Sequence, residues 1–513
     1  MRNRLCILAT LLATGAITGC FDAYSDSSVF NQGNGGTGTG GNGGNGGTTM
    51  TTTTAPPECI PANTASPVED GCGVFVSQSK GDDANGKGTK ASPFKTLDTA
   101  ISAAVQQKKP VYMCGETFTG PLLLQQAALV YGALDCASDW KYVGDQGRTV
   151  ITAAADATPL RVRSGANMEM NDIDITAVDA VTKGGSSIAV IAEAASTLRL
   201  VRSTVTAGLG AAGVDQDPIA GTAMDGVKGV NGVDACTTAQ AVTGDPPVTT
   251  CSPDNSIAGS GGVGATNGPT PGGSGDPGSD VNPNFGGAEG ANNPCGNGKE
   301  GLEGAAGTSS IGAAGTGTLS PDTGYVGVTA ADGLPGKPGQ GGGGGGGSKG
   351  GSGANKCSDP AKTAGASGGT GGSGGCGGSG GKGGGGGGAS IAIATFGATL
   401  TFDSVNLVAK DGGRGGNGGD GQKGGTGAEG GTGGALVGSL NAGCKGGFGG
   451  NGGKGGMGGG GLGGHSIGVA YTGKTAPDTT GATVKLGAFG PGGTGDGDTG
   501  KGADGVAADT LGF

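Results

Sequence analysis

Few residues in this chain have the types and spacing to do chemistry. Asn171-Asp172-x-Asp174 lies with Arg199 and Arg202 in one run of alternating apolar residues. Carboxylates beside a guanidinium on one sheet face can hold Ca²⁺ and an acidic polysaccharide, and so equip a lyase or hydrolase. These residues alternate with apolar ones, so part of the set faces outward as ordinary solvated rungs. Aromatic platforms for sugar rings are scarce. "GDGDTGKGADG" (495–505) places Asp496, Asp498 and Asp504 at spacings loosely like a calcium loop, but without the closing bidentate Glu. A Ser-His-Asp triad would need His465, the chain's one histidine. It lies in a glycine tract that starts a strand, and reads as a loop residue. The Gly/Lys strings lack the G-x-x-x-x-G-K-[ST] spacing of a phosphate loop. The expectation is no catalytic residue and no cofactor, with Ca²⁺ at the three aspartates as the one candidate.

The elements that would position such residues must come from an unusual composition. Glycine supplies 129 of 513 residues, against roughly 7% in an ordinary protein. Aromatics are 4%. A chain of this length normally suggests about three domains. Here the apolar residues cluster, which predicts one modest core plus extended glycine-rich matter. Removing Arg2 and Arg4 with a leader takes the basic residues from 30 to 28 against 41 acidic ones, a net of −13. That argues against nucleic acid, which needs clustered Lys/Arg.

"MRNRLCILATLLATGAITGC" has a basic start, an apolar stretch from Leu5 to Ile17 and small residues before a cysteine. The apolar stretch is too short to span a bilayer and has signal-peptide form. Ile17-Thr18-Gly19-Cys20 resembles the lipobox of bacterial lipoproteins. The resemblance implies cleavage before Cys20 and acylation of that residue, a stable membrane anchor. Phe21 stands where Asp would imply inner-membrane retention, which favours the outer membrane. Ten cysteines then remain in an oxidising compartment, where pairing is expected. Sequence neighbours suggest Cys59–Cys72, Cys114–Cys136, Cys236–Cys251 and Cys357–Cys376, leaving Cys295 for Cys444, although sequence alone does not fix connectivity. No CxxC is present, so a zinc site is not expected.

From Cys59 the pattern becomes regular. Val74 to Ser77 reads as a strand, Ser92-Pro93 as the start of a helix, and Leu97, Ile101, Ala104 and Val105 as its apolar face. Val76, Gly81, Asp83, Gly88-Thr89, Ser92-Pro93-Phe94, Thr96-Leu97, Ala100-Ile101, Val111, Gly115 and Phe118 match the N-terminal signature of an uncharacterised bacterial family. The resemblance implies an all-β right-handed parallel β-helix of pectate-lyase-like form, a single-stranded solenoid with an N-terminal capping helix. "LVYGALDCASDW" (129–140) resembles the YGG-[FY]-D…W turn of similar surface proteins, with Ala133 in place of the second glycine.

Independent of the resemblance, apolar residues alternate in Leu160/Val162, Met168/Met170, Ile173/Ile175, Ile188/Val190 and Leu198/Leu200, as in strands with one buried face. Leu160 to Ile188 is 28 residues; Met168 to Leu198 and Ile175 to Val205 are 30 each. A fixed repeat of this size marks a solenoid. "GGSSIAVIAEAASTLRLVRSTVTA" (184–207) reappears as "GGASIAIATFGATLTFDSVNLVA" (387–409), and a third start is "GGHSIGVAYTG" (463–473) with Val484-Lys-Leu486. The organisation expected is a signal peptide 1–19, a tether 20–58 from Cys20, a cap and first coils 59–210, a glycine-rich insert 211–386, a coil 387–409, a second insert 410–462, and a last coil with an acidic tail 463–513.

The inserts are phased. Glycine holds every third place from Gly365 to Gly386 and from Gly412 to Gly433. Three residues per turn is the period of polyproline II, so eight triplets would reach roughly 75 Å when extended. Collagen would satisfy the register, but only "GLPGKPGQ" (333–340) carries proline as collagen does. Disorder is a second reading. The third is a bundle of polyglycine-II-like segments anchored by the β-helix, with the non-glycine residues pointing to solvent. The tracts resemble the GGxGGx repeats of surface PE-PGRS proteins and of glycine-rich phage-tip and antifreeze bundles. The function expected is a non-enzymatic, lipid-anchored, surface-exposed structural or adhesion protein of the outer membrane, meeting extracellular polysaccharide or matrix. The alternative is a polysaccharide-active β-helix enzyme.

Overall fold

The computed structural model describes residues 55–266, 273–276, 278, 295–351 and 357–513. The leader 1–19, Cys20 and the tether as far as residue 54 lie outside the described residues. Alternating apolar residues build a mostly β molecule with parallel sheets and no closed barrel. The chain opens with β1 (Val74–Val76) and helix α1 (Leu97–Gln107), then runs through β2 (Val111–Cys114), β3 (Thr117–Gly120) and β4 (Leu122–Leu124). Next come β5 (Ala128–Asp135), the short β6 (Lys141–Tyr142), β7 (Thr149–Ala153) and β8 (Leu160–Val162). β9 (Asn167–Asn171), β10 (Ile173–Thr176), β11 (Ser187–Ala192), β12 (Thr197–Val201) and β13 (Thr204–Thr206) follow. Two hairpins interrupt, β14 (Val248–Thr249) with β15 (Ser256–Ile257), and β16 (Thr318–Ser320) with β17 (Gly324–Val326). The series resumes with β18 (Ser390–Thr395), β19 (Thr399–Asp403), β20 (Val405–Val408), β21 (Ser466–Tyr471), β22 (Ala482–Lys485) and β23 (Ala507–Gly512).

Three sheets result. The first is ordered β1-β2-β5-β9-β12-β19, the second β3-β7-β10-β13-β20-β22 and the third β4-β8-β11-β18-β21-β23. From β2 to β21 the chain visits the three in turn and repeats; after β21 it returns only to the second sheet with β22 and the third with β23. Within each sheet like residues stack in register: Met168, Leu198 and Leu400 in the first, and Ile175, Val205, Leu407 and Val484 in the second. In the third, Leu160 pairs with Val190, then Ile393 and Val469. The expected partner Ile188 is therefore corrected to Val190: the pairing step here is 30 residues, as between β9 and β12 and between β10 and β13. These residues form one inner core, each contributing on the order of 1.5–3 kcal/mol by burial. The correspondences between 184–207 and 387–409 are register pairs throughout, Ile188 with Ile391 and Leu200 with Phe402 among them.

The helix starts later than its sequence suggests. Thr96, not Ser92, is the N-cap, its side chain accepting from the Thr99 N–H. Asp83 intervenes: its carboxylate accepts from Lys95 N–H (2.8 Å) and Thr96 N–H (3.0 Å) and pins the chain ahead of the first turn. Leu97, Ala100, Ile101 and Ala104 are buried, whereas Val105 is exposed. Disulfides join Cys59–Cys72, Cys114–Cys136 and Cys295–Cys444 as expected. The other two pairs are corrected to Cys236–Cys357 and Cys251–Cys376. Sequence proximity failed there because residues far apart in the chain lie side by side in the inserts.

Those inserts leave from one place, the connection between the second and third sheets. It spans 177–186 after β10, then 207–389 after β13, 409–465 after β20 and 486–506 after β22. Among the described residues, much of the long connections runs as segments that hydrogen-bond to one another at three-residue intervals. Segment 365–388 is central. Gly369, Gly372, Gly375 and every third residue to Gly387 donate to Cys444, Gly447, Gly450 and onward to Leu462, in a parallel neighbour. Ser367, Thr370, Ser373 and Cys376 donate to Val233, Val230, Val227 and Met224 of an antiparallel one. Its carbonyls accept from Gly333 to Ser348 on one side and from Gly413 to Gly434 on another. A Cβ on Gly372 or Gly375 would run into the backbone of Ala428 or Gly425. Glycine content follows position: segment 298–310, with two neighbours, has one glycine per triplet, whereas 368–388 has two or three.

Many non-glycine residues do not simply point to solvent, as expected from sequence. Their side chains cap N–H groups of the next segment: Asp225 accepts from Thr426 (2.7 Å), Asn231 from Thr432 (3.0 Å), Asn297 from Lys445 (3.1 Å) and Asn417 from Thr494 (2.9 Å). Surface peptide groups with no neighbouring strand are satisfied this way.

Candidate functional site

The corner between the first and second sheets is a single tight step in successive turns of the chain. Asp172, Arg202 and Ser404 occupy it, all with left-handed backbone (φ 60°, 47° and 58°). This conformation costs a non-glycine residue about 1–2 kcal/mol. Stacking puts Asp172 under Arg202, and the two form a bidentate pair: Nε donates to Oδ1 (2.9 Å) and Nη2 to Oδ2 (2.6 Å). Tyr142 Oη also donates to Asp172 (3.0 Å). Asp174 accepts from Arg148 Nη2 (2.8 Å) and from Thr204 N–H (2.9 Å). Arg148 Nη2 also reaches the Arg202 carbonyl, and its Nη1 lies 3.6 Å from Asp172. These groups line a groove of about 460 Å³.

Asp172, Asp174 and Arg202 are thus brought together. Arg199 is not: it lies on the first sheet, paired with Glu169 (2.9 Å) and near Asp403 (3.8 Å). Asn171 also belongs to that sheet and donates to Glu169 (3.3 Å). Arg148 and Tyr142 were missed from sequence. The 30-residue repeat carried the Asp172–Arg202 pairing, but nothing periodic marks the short β6 that delivers Tyr142 or the loop that delivers Arg148.

Charge in the groove is matched internally. The hydrogen bond to Asp172 pushes the Arg202 guanidinium above its ordinary value, against the effect of burial. Burial, then the Asp172 charge, pushes the Tyr142 phenol up, so it stays protonated at neutral pH. Asp172 is 2% exposed, and both of its oxygens are engaged. Asp172→Asn is expected to cost about 1.5–3 kcal/mol, because it removes a buried carboxylate that accepts charge-assisted bonds from the half-exposed Arg202. A thermal or denaturant midpoint checks this, with Arg199→Ala, on the exposed face, moving it by less than about 1 kcal/mol.

The three C-terminal aspartates do not converge. Asp496 precedes the turn Gly497–Gly500 without a capping bond. Asp504 accepts from Gly492 N–H (2.8 Å) and pairs with Lys501 (3.1 Å), and the Gly492 bond holds its carboxyl below the ordinary value. Among the described residues no three Asp, Glu, His or Cys side chains come together as a metal site would need. His465 lies in the loop that leads into β21, as expected, but it is not in solvent. It is buried, Nδ1 accepts from Val506 N–H and Nε2 donates to the Thr316 carbonyl, both at 2.8 Å. Among the described residues no helix is long and apolar enough to cross a membrane. Comparison with protein-family models, curated proteins and solved structures finds no match.

Proposed function

We propose that this chain is a lipid-anchored, non-enzymatic surface protein whose three parallel sheets are the faces of a right-handed parallel β-helix. The inserts would form a polyglycine-II-like bundle held at both ends of each excursion by that scaffold. One observation carries the reading. The same corner emits successively placed glycine-rich excursions, and their peptide groups hydrogen-bond to one another at every third residue. A large share of the chain is spent on a shaped surface rather than on a cleft. The matched charges of the Asp172 groove support the non-enzymatic side of the proposal. Every carboxylate there already holds a guanidinium, which leaves no base poised for proton abstraction. The role proposed is structural or adhesive contact with extracellular matrix or polysaccharide, at the outer membrane.

Two experiments test it. Cys20→Ser is expected to move the protein from the membrane to the soluble fraction; retention of the variant in membranes would overturn the anchor. Incubation with acidic polysaccharides is expected to yield no unsaturated or shortened products. Products that disappear in Asp174→Asn would replace the reading by the enzymatic one.

A further inference from the structure

The outer face of the third sheet is apolar where it would ordinarily be wet. Ile188, Ile191, Ile391 and Ile467 are buried there against Tyr325. What covers them is the β16–β17 hairpin, a strap emitted by the long insert. Its turn is tied down by Arg161 Nη1 donating to the Pro321 carbonyl (2.6 Å), and its second strand by Ser186 Oγ donating to the Tyr325 carbonyl (3.2 Å). Its base is held by His465. We propose that this strap is an acid-released cover: protonation of His465 frees it and bares the isoleucine strip of the third sheet.

The geometry at His465 admits one protonation state. The Val506 N–H points at Nδ1, so that nitrogen must carry a lone pair, and Nε2 carries the hydrogen given to Thr316. A second proton would set two donors face to face in a buried site. The imidazole is faced by the Thr316 carbonyl and Tyr325 ring of the strap, and by the Val506 N–H and Phe513 ring at the last strand. The Tyr325 phenol is titratable, but burial holds it well above the ordinary value and so neutral. Asp504, two residues before Val506, is taken by Gly492 and Lys501. Burial lowers the His465 pKa from 6.5. Closure is therefore complete above about 6.5 and weakens as the pH falls toward the lowered folded value.

Two further features make the strap ready to move. The Tyr325 hydroxyl is buried with no partner, a cost of the closed state. Gly315 and Gly317, at the base, have φ of 97° and 83°, a hinge conformation natural only to glycine.

The test is hydrogen exchange of peptides spanning 313–328 in the full protein at pH 7.5 and 5.0, corrected for intrinsic rates. Exchange of the wild-type strap is expected to rise at pH 5.0, by up to about tenfold for each unit by which burial lowers the imidazole pKa. His465→Gln is expected to be pH-independent, at whichever level it sits. Tyr325→Phe is expected to slow exchange at both pH values and keep the response. An unchanged wild-type strap, a His465→Gln chain with the wild-type response, or a Tyr325→Phe chain without it would each overturn the proposal.

Discussion

Gly431→Ala is expected to destabilise the molecule by about 3 kcal/mol or more, while Thr432→Ala beside it changes stability by less than about 0.5 kcal/mol. Gly431 sits where a Cβ would meet the Val230 carbonyl and the Asn231 nitrogen, which are backbone atoms and cannot step aside. It also donates to the Thr370 carbonyl and accepts from Gly446 N–H, so a shift loses bonds to two segments. Thr432 is exposed, and its N–H is capped by Asn231 whatever the side chain is. A thermal midpoint at fixed scan rate compares the two variants. Equal effects would show that residue 431 is not held against a neighbouring backbone. The contrast is large because at Gly431 the segments meet peptide to peptide, with no side chain between them to repack, and the mismatch is absorbed only by separating them.

The paired substitution Cys251→Ser/Cys376→Ser is expected to cost about 3–5 kcal/mol and to open segment 365–388 to proteolysis. The bond closes a separation of 125 residues, and loops of about 100 residues give up about 4.7 kcal/mol of unfolded-state entropy when cross-linked. Glycine makes that entropy larger per residue than usual. Cys236–Cys357 and Cys295–Cys444 close separations of 121 and 149 residues across the same inserts, so the three effects do not add. A non-reducing digest should yield 236 joined to 357 and 251 joined to 376. Recovery of 236 joined to 251 would show that the segments are not paired as described, and survival of 365–388 in the double variant would show that the bond is not what holds it.

Much of the sheet framework was legible because period-two apolar residues report burial directly. Met168 over Leu198 and Ile175 over Val205 follow from repeat spacing, and Ile391 under Ile467 from the repeated GGASI and GGHSI sequences. The Leu160 partner was missed by two residues because β11 is buried on both faces, so alternation no longer says which residue points inward. The helix start was missed because Asp83, a turn residue, competes for the N–H groups that Ser92 was expected to organise. Disulfide pairing was opaque for Cys236, Cys251, Cys357 and Cys376, since proximity inside the inserts depends on which segments lie side by side. At the Asp172 corner the carboxylates and Arg202 could be found by period. Tyr142 arrives from the short β6 and Arg148 from the loop before β7, neither with a repeating pattern, and they are what complete the charge matching. His465 is the loop residue that was expected, but its burial was hidden because its partners, Thr316 and Val506, are main-chain groups that no side-chain motif announces.

The side chains that cap peripheral N–H groups have a consequence for how such a protein can change. A segment grows longer by adding triplets, each bringing its own hydrogen bonds. It cannot recruit a new neighbour on a side where Asp225, Asn231 or Asn297 already fills the bonding position and a Cβ holds other backbones away. The cross-section is thus written locally, triplet by triplet, and works as a stop rule against lateral growth. Exchanging a capping Asx for glycine would do more than remove one bond. It would turn a finished outer face into a growth face, and copies of this protein crowded on one surface would begin to knit together.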